Sequence, residues 1–195
     1  MGKRFYGSYF LLLVFIFVLS SILQIPEIFA EQGPDVASKE TESNESGIVL
    51  KKVPSKDGRF IDQGDGTITD TKTGIMWTKK DSYADLGKCL NWNDSQSHVS
   101  ILITGGYSNW RMPTVQELET IYEKSKPNNI AFGHDSKYPL YLDLIFADDA
   151  ASRYWSSETA GSCCAHTVDF SRNPVRIRRD NRDRCGDRGV RAVHP

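Results

Sequence analysis

The chain of 195 residues is long enough for one domain of ordinary size with short appendages. Its 24 basic and 25 acidic residues give a formal net charge of −1, which excludes a global attraction to nucleic acid or to anionic lipid. Hydrophobic residues make up 39% of the chain and aromatic residues 11%, which excludes disorder throughout and allows a packed core.

The N-terminus has the pattern of a secretory signal peptide. Lys3 and Arg4 precede an apolar run from Tyr9 to about Ile25, and Ala30 offers a small residue for cleavage. The sequence therefore predicts a signal peptide over residues 1–30, with an uncleaved membrane anchor as the alternative. The mature chain is expected to be secreted, periplasmic or held at the cell surface, where disulfides persist and no membrane contact remains after cleavage.

The next segment, residues 31–55, is rich in Glu, Ser, Gly and Asn and poor in large apolar residues. Such a segment buries too little surface to order itself, so a flexible acidic linker is predicted there. A folded domain is predicted over residues 56–195, close to the commonest domain size. Its first elements are three short strands bounded by turns, at Phe60-Ile61, Thr67–Asp70 and Ile75–Trp77.

Two helices are predicted in the middle of the chain. One runs from Asp94, a candidate N-cap, to about Leu102. The other runs from Val115 to about Lys124, because Thr114 and Glu117 form a capping box and apolar residues then recur at helical spacing. Four later strands are predicted at Arg153–Ser157, His166–Phe170, Val175–Arg178 and Gly189–Val193. This order of elements predicts an α+β fold and not a doubly wound α/β fold.

Several residues of chemically versatile types fit structural roles. Trp77, Trp110 and Trp155 are flanked by apolar residues and are predicted to lie in the core. Arg111 is predicted to pin a loop through an ion pair or backbone carbonyls, and Glu117 to cap a helix and not to act as a catalytic acid. No nucleophile elbow, phosphate loop or metal-binding spacing occurs, so the sequence predicts a protein that is not an enzyme and has no cofactor or metal site.

Four motifs occur in order along the predicted domain. The first two are Asp65–Asp70 with Thr73–Trp77, and Gly105–Thr114 with Glu117-Leu118. The last two are Tyr154–Ser157 and the closing stretch Gly189–Val193. In these motifs the chain resembles the Lcl C-terminal domain family, which is named for a collagen-like bacterial adhesin.

The resemblance implies a C-type-lectin-like fold with two helices and short twisted antiparallel strands. It also implies binding to sulfated polysaccharide and host surfaces, the role understood for the domain of the adhesin. The chain departs from the family in having no collagen-like region and in carrying Val99 and Ala192 where many members have cysteines. The cysteines of this chain would therefore form a different framework.

Four residues are disulfide candidates and allow three pairings: Cys89, Cys163, Cys164 and Cys185. A bridge between the neighbours Cys163 and Cys164 strains the peptide between them. The favoured pairing therefore joins one of these two to Cys185 and the other to Cys89. The alternatives are redox use of the neighbouring pair or a metal site, and oxidation outside the cytosol competes with both.

The clearest unexplained feature is an arginine-rich C-terminus. Residues 171–195 contain eight arginines, three aspartates and no lysine, which gives a local charge of +5. Arginine binds sulfate, phosphate and carboxylate through its planar fork, so this stretch is typical of a polyanion site. The candidate contacts are Arg176, Arg178, Arg179, Arg182, Arg184 and Arg188. The alternative is a solvated stretch whose arginines pair internally with the aspartates.

The sequence thus predicts a secreted, non-catalytic binding domain, an adhesin-type module for an anionic or sulfated glycan. Two alternatives remain open. One is a structural or protein-interaction module of the cell envelope, with a protein partner, and the other is a thiol-dependent enzyme on a lectin-like fold. No nucleic acid partner is expected.

Overall fold

The computed structural model describes residues 50–125, 129–132 and 139–195. The predicted signal peptide and residues 31–49 of the predicted linker lie outside this part of the chain. The described end of the linker already carries a strand at Val53–Pro54, so regular structure begins before the expected boundary at residue 56. The helices among the described residues are too short and too polar to cross a lipid bilayer.

Regular structure in the described residues consists of eleven short strands and three short helices. The strands are β1 (Val53–Pro54), β2 (Phe60–Asp62), β3 (Thr67–Asp70), β4 (Met76–Thr78), β5 (Asn129–Ile130), β6 (Pro139–Leu140), β7 (Arg153–Thr159), β8 (Cys164–Asp169), β9 (Arg176–Asn181), β10 (Arg188–Gly189) and β11 (Val193–His194). The helices are α1 (Ser82–Leu86), α2 (Trp92–Ser100) and α3 (Val115–Thr120). This content confirms the α+β class, with three helices in place of the two expected.

The strands form two main sheets, and the end of the chain contributes to both. An antiparallel sheet has the order β1-β2-β3-β4-β11. The second sheet has the order β10-β7-β8-β9, in which β10 runs parallel to β7 and the other pairs are antiparallel. β5 and β6 form a separate antiparallel pair. Among the described strands β9 pairs only with β8, so β9 is an edge strand with one free side.

The predicted closing strand Gly189–Val193 is wrong, because this stretch is divided between the two sheets. Gly189 pairs with Tyr154 of β7, whereas Val193 pairs with Trp77 of β4. The three residues between them are all buried, at 2% exposure or less. A strand with one exposed face would alternate between buried and exposed side chains, so this segment instead crosses the interior from one sheet to the other.

Helix α1 was not predicted from the sequence, and its two ends are set by local hydrogen bonds. The carboxylate of Asp81 accepts a hydrogen bond from the backbone N–H of Ala84 at 2.8 Å, which caps the N-terminus. Gly87 ends the helix in the left-handed region, with φ at 66°. The helix has five residues, too few for an apolar period to show in the sequence.

Helix α2 begins earlier than predicted, and helix α3 begins as predicted but ends earlier. The N-cap of α2 is Asn91, whose side chain accepts from the backbone N–H of Asp94, so the expected cap at Asp94 lies inside the helix. Helix α3 has the predicted capping box of Thr114 and Glu117. It ends at Thr120, well before the expected end near Lys124.

Apolar side chains form two clusters. One joins residues of both sheets and α3, and includes Trp77, Leu118 and Tyr154. The other joins α2 to the four-stranded sheet and includes Trp110 and Trp155. The exposed fractions of Trp77, Trp110 and Trp155 are 0%, 4% and 0%, which confirms their predicted place in the core.

A chain of polar groups lies inside the protein. Arg191 is fully buried and donates from Nη1 to the carbonyls of Thr78 at 2.8 Å and Lys79 at 2.7 Å. Its Nη2 donates to the hydroxyl of Tyr154 at 3.0 Å, and that hydroxyl also hydrogen bonds to Asp81. Burial raises the pKa of Asp81 and of Tyr154, and the charge of Arg191 opposes both shifts. These contacts tie the end of β4 and the start of α1 to β7.

Candidate functional site

The six candidate arginines lie in one stretch, residues 176–188, here called the arginine segment. It comprises β9, the turn after it and the first residue of β10. Thr167 of β8 faces Arg178, and His166 faces Arg179. Because side chains alternate along a strand, Arg176 and Arg178 lie on one face of the sheet and Arg179 on the other. Side chains on both faces of the sheet therefore lie next to the unpaired edge of β9.

Arg188 is committed to internal contacts. Its Nε lies 3.0 Å from Oδ2 of Asp180, and its Nη1 donates to the carbonyl of Cys185 at 3.0 Å. Only 12% of its side chain is exposed. Burial alone would raise the pKa of Asp180, but hydrogen bonds from Arg188 and Thr167 hold that pKa below its ordinary value. Arg188 therefore fits the internal-pairing alternative.

Arg153 of β7 joins the same network, although it lies outside the arginine-rich C-terminus and sequence reasoning missed it. Its Nε is 3.5 Å from Oδ2 of Asp169 and 3.4 Å from Oδ2 of Asp187. Nη1 of Arg178 is 4.0 Å from the same oxygen of Asp169, and 40% of that side chain is exposed. The network thus balances arginines against aspartates, and Arg178 is its most exposed cation.

Arg179 and Arg182 contact the turn between β7 and β8. Nη2 of Arg182 donates to the carbonyl of Ser162 at 2.6 Å, and its guanidinium lies 5.2 Å from the ring centre of Trp92. Nη2 of Arg179 lies 3.6 Å from Sγ of Cys163. Arg182 is half-buried by these contacts, whereas Arg179 remains exposed.

Arg176 and Arg184 are exposed, and neither takes part in an ion pair among the described residues. Together with Arg179 they are called the exposed arginines below. The structure therefore divides the six candidates. Arg188 is internally paired. Arg178 and Arg182 each contact a neighbouring group but remain partly exposed, and the three exposed arginines present their charge to solvent.

All four candidate cysteines are in disulfides, but the expected pairing is wrong. The bridges are Cys89–Cys185 and Cys163–Cys164. Backbone hydrogen bonds hold the segment after Cys89 beside the turn that carries Cys185, through Leu90 to Arg188 at 3.1 Å. Cys163 ends the turn between β7 and β8, Cys164 is the first residue of β8, and the two bond to each other. Sequence reasoning rejected this neighbouring bridge because of peptide strain and so misassigned all four partners.

A family model, the Lcl C-terminal domain, matches residues 66–193, which covers most of the described chain. The chain belongs to the Lcl C-terminal domain family. The match confirms the resemblance drawn from the four motifs. A search among curated proteins found no match. Membership of the Lcl family and the disulfides are consistent with an extracellular location.

The Gly-Gly motif shared with the Lcl family forms a tight turn against β3. Gly105 has φ at 62°, and a Cβ atom there would lie 2.5 Å from Cγ2 of Thr67. Only glycine meets both conditions. Trp110 at the end of this turn is buried, and its Nε1 donates to the carbonyl of Tyr107 at 3.0 Å. This part of the Lcl motif is therefore packing, not an exposed stacking platform for sugar.

The rest of that Lcl motif confirms the structural roles predicted for Arg111 and Glu117. Nη1 of Arg111 donates to Oε2 of Glu117 at 2.8 Å, and Oε2 also accepts from the backbone N–H of Thr114. The hydrogen bond from Arg111 is the main reason that the pKa of Glu117 lies below its ordinary value. Glu117 is thus an ionised helix cap.

The Lcl domain also has a small cleft of about 260 Å³. Val190 and Ala192 are among its apolar lining residues, and Lys80, Asp85 and His98 among its ionisable ones. Burial lowers the pKa of His98, against the opposing charge of Asp85. The cleft is smaller than a typical ligand pocket. Within the described residues no group of three His, Cys, Asp or Glu side chains is placed to hold a metal ion.

Proposed function

We propose that this Lcl C-terminal domain is a secreted, non-catalytic module that binds an anionic, sulfated polysaccharide. The observation that carries the proposal is the set of exposed arginines along and just beyond the free side of an edge strand. Each guanidinium group can bind a sulfate or carboxylate through two hydrogen bonds.

The geometry favours a linear polyanion over a small anion. Arg176 and Arg179 lie on opposite faces of β9, so they do not converge on a single pocket. Residues in a strand are spaced about 3.3 Å apart, which sets these two arginines about 10 Å apart along the chain direction. A polymer lying along the free side of β9 would meet charge from both faces. The free backbone N–H groups of an edge strand add further donors for sulfate oxygens.

The distribution of charge indicates how binding should depend on salt. The chain as a whole carries a net charge of −1, so attraction to a polyanion has to come from a local surplus such as that of the C-terminal stretch. Contacts between exposed charges are screened by salt beyond about 10 Å at 0.1 M ionic strength. Binding should therefore be strong at low salt and fall steeply as salt is added.

The test is heparin chromatography with increasing salt on the purified protein. The variant Arg176→Ala, Arg179→Ala, Arg184→Ala should elute at clearly lower salt than the unaltered protein, because it removes the charges of the three exposed arginines. The matched control Lys51→Ala, Lys56→Ala, Lys72→Ala removes three exposed positive charges elsewhere and should elute close to the unaltered protein.

A third variant, with Arg176, Arg179 and Arg184 all changed to Lys, tests the geometry of the contact. Lysine keeps the charge but loses the planar fork, so elution between the unaltered protein and the alanine variant is expected. Equal losses in the arginine and lysine-control variants would show that only total charge matters. Failure of the unaltered protein to bind at low salt would overturn the proposal and direct the search to a protein partner.

A further inference from the structure

The two disulfides of this domain differ in what they can contribute to stability. Cys89–Cys185 joins residues 96 apart in sequence, whereas Cys163–Cys164 joins neighbours. A disulfide stabilises a fold mainly by restricting the unfolded chain, and the effect grows with the length of the loop that it closes. The bridge between neighbours closes almost no loop, so stabilisation of this kind does not account for it.

The position of the Cys163–Cys164 bridge gives it access to solvent and to an arginine. Cys163 is exposed at the turn between β7 and β8, whereas Cys164 is 8% exposed. The Nη2 atom of Arg179 lies 3.6 Å from Sγ of Cys163. Arg179 is also one of the exposed arginines that the proposed function assigns to polyanion binding. Arg179 therefore belongs to the proposed binding surface and also contacts the bridge.

We propose that Cys163–Cys164 is a reducible pair that lowers the affinity of the exposed arginines for polyanion when it is reduced. This inference rests on the proposed function and adds its regulation. The reductant would be a dithiol, either a small molecule or the dithiol of a partner protein. Cys89–Cys185 stays oxidised throughout.

The exchange balances in two steps. A thiolate of the dithiol attacks the exposed Sγ of Cys163, the Cys163–Cys164 bond breaks, and Cys164 leaves as a thiolate and takes up a proton. The second thiol of the donor then loses its proton and attacks the donor sulfur that is bonded to Cys163. Cys163 is released as a thiolate. The donor becomes a disulfide, and the protein gains two electrons. In this second step the guanidinium of Arg179 stabilises the departing Cys163 thiolate.

The reduced state differs from the oxidised state by one charge at the binding surface. The guanidinium of Arg179, 3.6 Å from Sγ of Cys163, favours a negative charge on that sulfur once the bridge is open. The thiolate pairs with Arg179 and repels sulfate, whereas the sulfur of the disulfide is neutral. An ion pair between exposed groups corresponds to about a two- to fivefold change in affinity. We expect the reduced protein to bind heparin more weakly by that factor.

The first measurement is which bridge a limited dose of dithiol reduces. The full protein is treated, its free thiols are alkylated, and labelled peptides are assigned by mass spectrometry. Cys163 and Cys164 should be labelled while Cys89 and Cys185 remain joined. Simultaneous reduction of both bridges, or earlier reduction of Cys89–Cys185, would overturn the proposal. This measurement does not depend on polyanion binding.

The second measurement compares heparin affinity of the oxidised and the selectively reduced protein. Arg179→Gln and Arg176→Gln are matched variants, because each removes one exposed charge but only Arg179 contacts Cys163. Both should bind more weakly than the unaltered protein in the oxidised state. The redox shift should persist in Arg176→Gln and vanish in Arg179→Gln. The variant Cys163→Ser, Cys164→Ser should show the same affinity with and without the dithiol.

The outcomes separate this inference from the function on which it rests. If the oxidised protein does not bind heparin, the proposed function and its regulation both fail. If it binds equally in both redox states, the function stands and the regulation is overturned. A redox shift that survives in Arg179→Gln would also overturn it, because the contact with Cys163 would then not be the cause.

Discussion

Arg191 is a charged side chain placed where an apolar one is expected. It lies between Val190 and Ala192, both buried, and is itself 0% exposed. Its hydrogen bonds go to two backbone carbonyls and to Tyr154, and its charge offsets that of buried Asp81. A buried charge is tolerated only when its partners are in place. Arg191 is therefore a structural residue, although it belongs to the arginine-rich C-terminus.

Replacing Arg191 by Met should destabilise the fold by about 3–5 kcal/mol, because it leaves two carbonyls without their donor and removes the charge that offsets buried Asp81. Urea unfolding followed by circular dichroism measures this loss. A loss below about 1 kcal/mol for Arg191→Met would contradict this account.

The helices and strands of this domain are short, so bonds between distant segments help to hold them in place. Helices α1 and α3 have five and six residues, lengths that are not stable alone. The Cys89–Cys185 bridge joins the segment after α1 to the turn between β9 and β10. The same two segments are joined by a backbone hydrogen bond from Trp92 to Arg182 at 3.0 Å. The bridge therefore helps to hold the arginine segment in place.

Removal of each bridge should have unequal effects on the free energy of unfolding. Cys89→Ala with Cys185→Ala should cost about 2–5 kcal/mol, because the bridge spans 96 residues of sequence. Cys163→Ala with Cys164→Ala should cost less than about 1 kcal/mol, because it frees almost no loop. Chemical unfolding of the two variants side by side checks the difference. Equal costs would show that the neighbouring bridge has a structural role.

Sequence reasoning succeeded where the cause was local. The capping box of Thr114 and Glu117 is a short-range pattern, and the structure has it as expected. The end of α3, the split of the closing strand and the disulfide partners depend on contacts between distant segments. The excess of arginine was evident from the composition, but the composition did not show which arginines form internal ion pairs and which are exposed. Arg188 finds Asp180 and Arg153 finds Asp169 only through the strand register, which no local pattern reveals.

At the scale of the whole molecule, three carboxylates are held ionised by arginines in different regions. Hydrogen bonding from Arg111 lowers the pKa of Glu117. Asp70 and Asp180 would have raised pKa values from burial alone, but Arg59 and Arg188 respectively bring both below the ordinary value. The partners are Arg59 with Asp70, Arg111 with Glu117 and Arg188 with Asp180. Together these pairs link stability to pH over much of the fold.

A carboxylate with a lowered pKa in the fold contributes stability above its unfolded pKa and loses it as pH falls through the folded value. The ordinary values here are 3.8 for aspartate and 4.5 for glutamate, so the main loss of stability should begin below about pH 4.5. Burial lowers the pKa of His98, so a smaller loss should begin below its ordinary value of 6.5. Urea midpoints measured between neutral and acid pH check both steps.

Glu117→Gln is the matched variant for this pH profile. Glutamine keeps the capping hydrogen bond to Thr114 but cannot be ionised. The variant should be less stable than the unaltered protein at neutral pH by less than about 1 kcal/mol, because the Arg111 side chain is 44% exposed. The gap should close in acid. A gap that stays constant with pH would contradict the ionised cap.

The pairing of β10 and β11 with strands far upstream in sequence has a consequence for the order of folding. β11 completes the five-stranded sheet beside β4, and β10 completes the four-stranded sheet beside β7. Val193 pairs with Trp77 and Gly189 with Tyr154, so each sheet is complete only after a contact between segments far apart in sequence has formed. Pairings between such distant segments slow folding, because the chain loses entropy before the contacts form. Disrupting β11 would therefore deprive the five-stranded sheet of one of its edge strands.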